Sequence, residues 1–472
     1  MNKSKKGIPR RQFLKSAAAL ATAGAVFPQI VPRHVVGGKG FTPPSETVYV
    51  AGIGAGMWGH INMMSADQAG AKIVALCDVD EENAILSFDY FSEATQYKDY
   101  HRLLEKEKGI DAVMVATPDH TRAIVMMAAM ELGKHAYCEK PLARTVYEVR
   151  KLTQAAREHN VAVQLGNQGH TYETLSEFCE CIWSGTIGEV REVYIRQNAY
   201  SFSQIDKLAE IGEDYSVPDS LDWDLWIGPA PYRKYNPLYH PLMWRGWRDF
   251  GTGMLGDWVC HLVDPVYTAL DLGAPTSVYA EAEGYDPEKH RETFPKSSKL
   301  RFEFPARGAR PPVTLYWNDG VRDASTGPEE ITEGEESIPG YFKSDRPVGG
   351  LVVGDKGKIV YGAFGAANWR IIPESKMNEY MANRTRVADP TGSGRPENIV
   401  HVRDWLEACK GWHPPAANLD YGGPLTEIGL LGNIAQRMLG TELEWDAKHM
   451  TFPNHPEANQ YLHYGYRDGW TL

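Results

Sequence analysis

No acidic residue precedes Glu46, although eight basic ones do: Lys3, Lys5, Lys6, Arg10, Arg11, Lys15, Arg33 and Lys39. Removing those eight from the formal −12 leaves −20 for the rest of the chain. A body this acidic repels nucleic acid and anionic membrane surfaces, so neither is an expected partner. Past the leader there is no apolar run long enough to span a bilayer, and there is no internal repeat. Cysteine is scarce. The six, at 77, 138, 179, 181, 260 and 409, contain no Cys-x-x-Cys metal spacing. Cys77 and Cys138 fall in apolar, strand-like runs, where a small buried thiol is ordinary.

The basic leader has a pattern of its own. Pro9-Arg10-Arg11-Gln12-Phe13-Leu14-Lys15 precedes a modestly apolar run from Ser16 to Phe27. This resembles a twin-arginine export signal, read by a translocase that moves folded proteins. The expectation is an exported, periplasmic protein with residues 1–45 outside the fold, and Ala23-Gly24-Ala25 is a loose candidate cleavage site. A protein folded before export has no need of disulfides, which agrees with the cysteine pattern.

A chain of 472 residues is too long for one ordinary core, so two domains are expected. Val48 to Ala51 reads as a buried strand running into Gly52-Ile53-Gly54-Ala55-Gly56-Met57-Trp58-Gly59, with a helix after it. Ile73 to Asp78 and Asp111 to Ala116 read as further strands, and strand–helix–strand at this spacing implies a parallel sheet. A glycine loop between strand and helix lets the backbone approach a pyrophosphate, whose charge rests on the helix N-terminus. Gly52, Gly54, Gly56, Met57 and Trp58 are the candidates for that contact. Two frames are open: Gly52 and Gly54 followed by Met57, or Gly54, Gly56 and Gly59. Asp78, 19 residues past Gly59, can accept both ribose hydroxyls and would repel a 2′-phosphate, favouring NAD over NADP. Thr117 and His120, in Ala116-Thr117-Pro118-Asp119-His120, leave the third strand at the carboxyl edge, where such sheets bind ligands. His120 could equally cap the next helix.

Two stretches carry the chemistry. Tyr137-Cys-Glu-Lys-Pro-Leu-Ala-Arg-Thr145 follows an apolar run and precedes a helical pattern. There Glu139 and Pro141 flank Lys140, and the proline restricts the lysine backbone to extended conformations. Further on, Asp257-Trp-Val-Cys-His261-Leu-Val-Asp264 would, if helical, present Asp257, His261 and Asp264 on one face. A carboxylate beside an imidazole raises its pKa and orients it as a general base. The plainer reading is a helix cap by Asp257 and an incidental histidine. No third ligand stands at zinc spacing, so no metal is expected.

Together the glycine loop, Asp78, Thr117-Pro-Asp-His120, Glu139-Lys-Pro141 and Asp257-x-x-x-His261 resemble the glucose-fructose oxidoreductase, inositol dehydrogenase and rhizopine-catabolism family (Gfo/Idh/MocA), over essentially everything past the leader. The resemblance implies an α/β protein with an N-terminal Rossmann domain (46–165). A C-terminal α/β domain (166–472) would have a large, mostly antiparallel open sheet used for homo-oligomer contacts. It also implies a nicotinamide cofactor and a sugar or glycoside substrate. Lys140 would then lie beside the nicotinamide and the reacting hydroxyl, with Asp257 and His261 as its catalytic partners. Glu139 and Gln168 would face the cofactor and His170 the substrate, because the Gly166–His170 junction faces the cofactor in that family. An aromatic-rich insert from about 200 to 253 is expected to be mostly structural. A polar loop or lid is expected across 319–349, and the C-terminal tail should pack back on the body. Two alternatives stay open: a redox-neutral NAD-dependent glycosidase, and a non-catalytic sugar-binding protein.

Overall fold

Short apolar runs separated by amphipathic helices can bury both faces of a sheet only if the strands are parallel and the helices cover them. The computed structural model, which describes residues 46–320, 348–383 and 398–472, has that arrangement in its first half. Strands β1 (Tyr49–Ile53), β2 (Lys72–Cys77), β3 (Thr95–Tyr97), β4 (Ala112–Val115), β5 (His135–Glu139) and β6 (Val163–Gly166) form one parallel sheet in the order β3-β2-β1-β4-β5-β6. Helices α1 (Met57–Gln68), α2 (Glu81–Tyr90), α3 (Tyr100–Lys106), α4 (Asp119–Glu131) and α5 (Val146–Glu158) connect them. The strand order reverses between β1 and β4, the crevice in which doubly wound sheets bind dinucleotides. Thr145 and Glu148 form a capping box that starts α5 directly after the Glu-Lys-Pro turn.

After α6 (Glu173–Trp183) comes a second, eight-stranded sheet. Its strands are β7 (Val190–Gln197), β8 (Ser277–Glu281), β9 (Ser297–Phe304), β10 (Val313–Gly320), β11 (Val348–Gly354), β12 (Lys358–Tyr361), β13 (Arg370–Ile372) and β14 (Leu443–Glu444). Their order is β13-β12-β11-β7-β10-β9-β8-β14, and only β7 and β10 run parallel. The mixed, mostly antiparallel second sheet is as expected. Helix α7 (Gly253–Leu262) is followed by α8 (Asp264–Leu270), with α9 (Glu374–Ala382), α10 (Asn398–Cys409) and α11 (Leu419–Ala435) later in the chain. The twin-arginine stretch and most of the anticipated lid lie outside the described residues.

The segment between β7 and α7 is not a loose excursion. Trp223, Trp226, Tyr239, Trp244, Trp247 and Phe250 bury one another in a core of their own. Backbone bonds dock this insert on the turn after β2: Asp222 N–H donates to Val79 O (2.8 Å) and Glu81 N–H to Ser220 O (3.2 Å). His240 Nε2 lies 2.6 Å from Asp80 Oδ2, both side chains buried. The tail touches the first half of the chain, with Tyr466 O–H donating to Glu148 Oε1 (2.7 Å). All six cysteines are free thiols. No helix among the described residues is long and apolar enough to cross a membrane.

Candidate functional site

The glycine turn resolves the choice of frame. Gly54 has φ +85°, and a Cβ there would come within 2.7 Å of the Ala116–Thr117 peptide on β4's exit. A Cβ on Gly59 would meet the Gly54 carbonyl at 1.8 Å, so the helix could not seat against the turn. Gly54, Gly56 and Gly59 are therefore the cradle. Gly52 lies inside β1, where its side would meet the Met63 sulfur. It packs the sheet instead of lining the site.

A pocket of about 340 Å³ opens at this turn. Gly54, Gly56, Met57, Trp58, Asp78, Thr117, Glu139 and Lys140 all line it. The exposed side chains of Met57 and Trp58 flank the turn, leaving the N-terminus of α1 open to an anion. Asp78 is buried at the pocket wall, and its two carboxylate oxygens accept from Ala55 N–H (2.7 Å) and Asp80 N–H (3.0 Å). Burial raises its pKa to about 6 against the opposing effect of those bonds. Ordered acceptor lone pairs at the end of β2, beside a cradle that a single Cβ would fill, fit a dinucleotide. The insert roofs the pocket with Trp226, His240, Pro241, Leu242, Trp244 and Arg245, and the tail adds Trp470.

At the other end of the pocket β5 delivers Glu139 and Lys140, and the Lys140–Pro141 peptide is cis. Asn62 and Gln168 side-chain amides each donate to Glu139 Oε1 at 2.8 Å, and Gln168 also reaches Tyr137 O–H (3.2 Å). Gln168 thus positions Glu139 from behind and does not reach the pocket wall. Lys140 Nζ donates to both Oδ1 and the main-chain carbonyl of Asp257, each at 3.0 Å. Arg245 approaches the same carboxylate (3.6 Å) while stacked on Trp244. Burial favours the neutral acid at Asp257, but Lys140 and Arg245 outweigh it and hold the pKa below its ordinary value.

Three expectations about the second stretch need correcting. Asp257 orients Lys140 and makes no hydrogen bond to His261, whose Nδ1 is buried without a partner. The His261 pKa is not raised but pushed far down, first by burial and then by Lys140, against the opposing pull of Asp257. Asp264 does not share their face, because α7 ends at Leu262 and Asp264 opens α8. It binds His170 Nδ1 (2.9 Å) and accepts from Tyr421 O–H (2.5 Å). His170 is therefore half-buried against Asp264 and Tyr421 and does not line the pocket. His120 is corrected likewise: it is fully buried, its ring nitrogens facing the Trp226 (2.8 Å) and Phe250 (3.3 Å) carbonyls, and burial depresses its pKa to about 3. It fastens the insert to the first sheet.

Sequence reasoning missed Arg122. Its guanidinium donates to the carbonyls of Thr117 (2.9 Å) and Pro141 (2.6 Å) and pairs with Asp119 (2.9 Å), tying the two pocket-edge turns together. Its position three residues after Asp119 at the start of a helix was the available signal. Arg245 and His240 had none, because only the folding of the insert brings them to the pocket. Among the described residues no cluster of three or more His, Cys, Asp or Glu could hold a metal ion.

Residues 47–167 match the oxidoreductase family's NAD-binding Rossmann fold, and residues 181–306 match its C-terminal alpha/beta domain, together just over half the chain. Inositol 2-dehydrogenase of Salmonella typhimurium is 30% identical over 173 residues, covering 36% of this chain and 48% of that protein. The chain thus spans about half the length of that curated relative. Two solved structures share the fold. An inositol dehydrogenase homolog of Azotobacter vinelandii, complexed with NADH and myo-inositol, has TM-score 0.55 at 17% identity, over 84% of this chain and 98% of that one. Aldose-aldose oxidoreductase of Caulobacter crescentus has TM-score 0.57 at 16% identity, over 84% and 100%. With its glycine cradle, Asp78 and two matched domains, the chain belongs to the Gfo/Idh/MocA oxidoreductase family and takes NAD as its cofactor.

Proposed function

We propose that this protein is an exported oxidoreductase that oxidises a hydroxyl group of a sugar or glycoside with NAD that it retains. The observation that carries the reading is the Lys140–Asp257 pair, which joins the pocket edge of β5 to the helix bearing His261. The Gly54–Trp58 turn and the N-terminus of α1 would hold the pyrophosphate, and Asp78 the ribose. When bound, NAD supplies the hydride acceptor. Lys140, fixed by two bonds to Asp257, donates a hydrogen bond to the substrate oxygen and stabilises negative charge developing there. His261, kept neutral by burial and by Lys140, is in the form that can accept the hydroxyl proton.

The roof over the pocket favours a closed redox cycle. Trp226, His240, Trp244 and Arg245 of the insert and Trp470 of the tail line the pocket, so a dinucleotide seated there would be held in part by the insert and the tail. Together with a twin-arginine route to a periplasm poor in free NAD, this supports a cycle that returns the cofactor to its starting oxidation state. A second sugar could take back the hydride. The alternative is a redox-neutral glycosidase, in which oxidation, elimination and hydration are followed by reduction of the same ring. The test is the nucleotide content of the purified protein, then NADH released per mole of product across free sugars and glycosides. Copurified NAD with far less than one NADH per product supports the reading. Empty protein yielding one free NADH per product would replace it with a freely exchanging dehydrogenase.

A further inference from the structure

The turn after β12 places a phenylalanine where backbone energetics disfavour one. Phe364 has φ +60°, ψ +72°, and Gly365, Ala366 and Asn368 also have positive φ. Three of these four are not glycine, and left-handed backbone is rare for bulky side chains. The turn is held there by its surroundings. Thr174 Oγ1 donates to the Gly365 carbonyl (2.7 Å), and Gly362 N–H donates to Ala367 O (2.8 Å). Gly169, in the junction after β6, lets the turn close, since a Cβ there would come within 2.5 Å of Gly365 N.

This turn sets the Phe364 ring 4.5 Å from the His261 ring and 5.9 Å from Trp258. Trp258, one residue past Asp257, donates its indole N–H to Tyr200 O–H at 2.9 Å. Phe364 remains 41% exposed and Tyr200 39% exposed, so the aromatic surface beside the histidine faces solvent. Conformationally disfavoured residues persist where surrounding structure over-determines them, and they cluster at ligand sites. The insert tryptophans, by contrast, are mostly spent on their own core.

We infer that Phe364, with Trp258 and Tyr200, forms the wall on which the apolar C–H face of a pyranose or cyclitol ring stacks, presenting its hydroxyl edge to His261 and Lys140. The inference rests on the sugar-oxidising reading above and assigns these residues to substrate specificity. An aromatic face covers the carbon face of such a ring without competing for its hydroxyls. It also keeps water from the imidazole while the ring is seated.

Phe364→Gly separates the two roles a residue here could have, because glycine suits the left-handed backbone that phenylalanine does not. The NAD-loaded full-length protein is titrated with methyl β-D-glucopyranoside, methyl β-D-galactopyranoside and myo-inositol, reading binding by calorimetry and reduction of bound NAD by absorbance. The expected result for Phe364→Gly is an unchanged or raised Tm, with binding of the preferred probe weakened about tenfold. Phe364→Trp should bind within about threefold of wild type, because the stacking face is kept. Equal binding by wild type and Phe364→Gly overturns the inference, as does binding of none of the probes to wild type. A change in oligomeric state without a change in binding assigns Phe364 to a subunit contact and overturns it too. Binding that depends on Phe364 without reduction of bound NAD sustains the stacking wall while removing the oxidoreductase reading.

Discussion

Lys140 and Asp257 hold each other across 117 positions of sequence, with Nζ 3.0 Å from the carboxylate and 3.0 Å from the carbonyl of the same residue. Both side chains are largely shielded from water, so the pair is rigid and the ammonium direction is set before substrate arrives. Lys140→Met should lower turnover about a hundredfold, on the order of one lost electrostatic contact, while bound NAD is kept. Asp257 would retain Arg245, so the stability loss should be limited to a few kcal/mol, about the low end for breaking a buried pair. Single-turnover rates and urea midpoints check both halves. Near-normal turnover in the variant would remove Lys140 from the mechanism.

Asp78 predicts a pH dependence of cofactor affinity. With its pKa raised to about 6, the carboxylate gains a proton below that pH and loses an acceptor for the ribose. NAD affinity of the stripped protein should therefore fall as pH drops through about 6. Asp78→Asn should bind more weakly throughout and lose that step. The sign for folding is opposite to that of a paired acid. Because the folded pKa exceeds the unfolded value of about 3.9, Asp78 costs stability as pH rises from about 4 to about 6. Calorimetric titration across that window decides the binding half.

His240 and Asp80 fasten the roof of the pocket to the turn after β2. Asp80 also caps α2, accepting from the Glu82 and Asn83 amides, so the more informative change is on the insert side. His240→Leu should speed exchange of bound NAD for labelled NAD by about tenfold or more, the effect of losing one buried charge-assisted bond. Rates of reduction in a single turnover should hardly move. Exchange as slow as in wild type would show that the remaining insert contacts close the pocket without this bond.

His170 gives a prediction that separates structure from catalysis. Burial alone would lower its pKa, but the Asp264 carboxylate at 2.9 Å prevails and raises it. Its contribution to stability is thus fully present below the unfolded value of about 6.5 and is lost as pH rises through the higher folded value. His170→Ala should lower Tm most at pH 6 and progressively less at higher pH, with kcat within about threefold of wild type, as befits a residue that does not line the pocket. A large fall in kcat with Tm unchanged would return His170 to the substrate site.

What the sequence determined by itself was whatever rests on short-range spacing. Apolar runs divided by amphipathic stretches specify a parallel sheet. A glycine turn between strand and helix, with an acid at the end of the next strand, specifies a dinucleotide edge, and Lys140 follows β5 to that same edge. Each depends on residues within one or two elements, where period and backbone sterics leave little choice. The tertiary structure decided which polar partner each titratable group takes. Asp257 and His261 are one helical turn apart, yet a lysine from another domain offers Asp257 a full charge where a neutral imidazole offers none, and Lys140 wins. His120 and His170 occupy motif positions but point into packed interfaces. Phe364, unremarked in a run of small residues, reaches the histidine because Gly169 in the junction leaves room for its turn to close. Pairings over a hundred residues or more depend on how elements dock and how much water they exclude, and no local pattern encodes either.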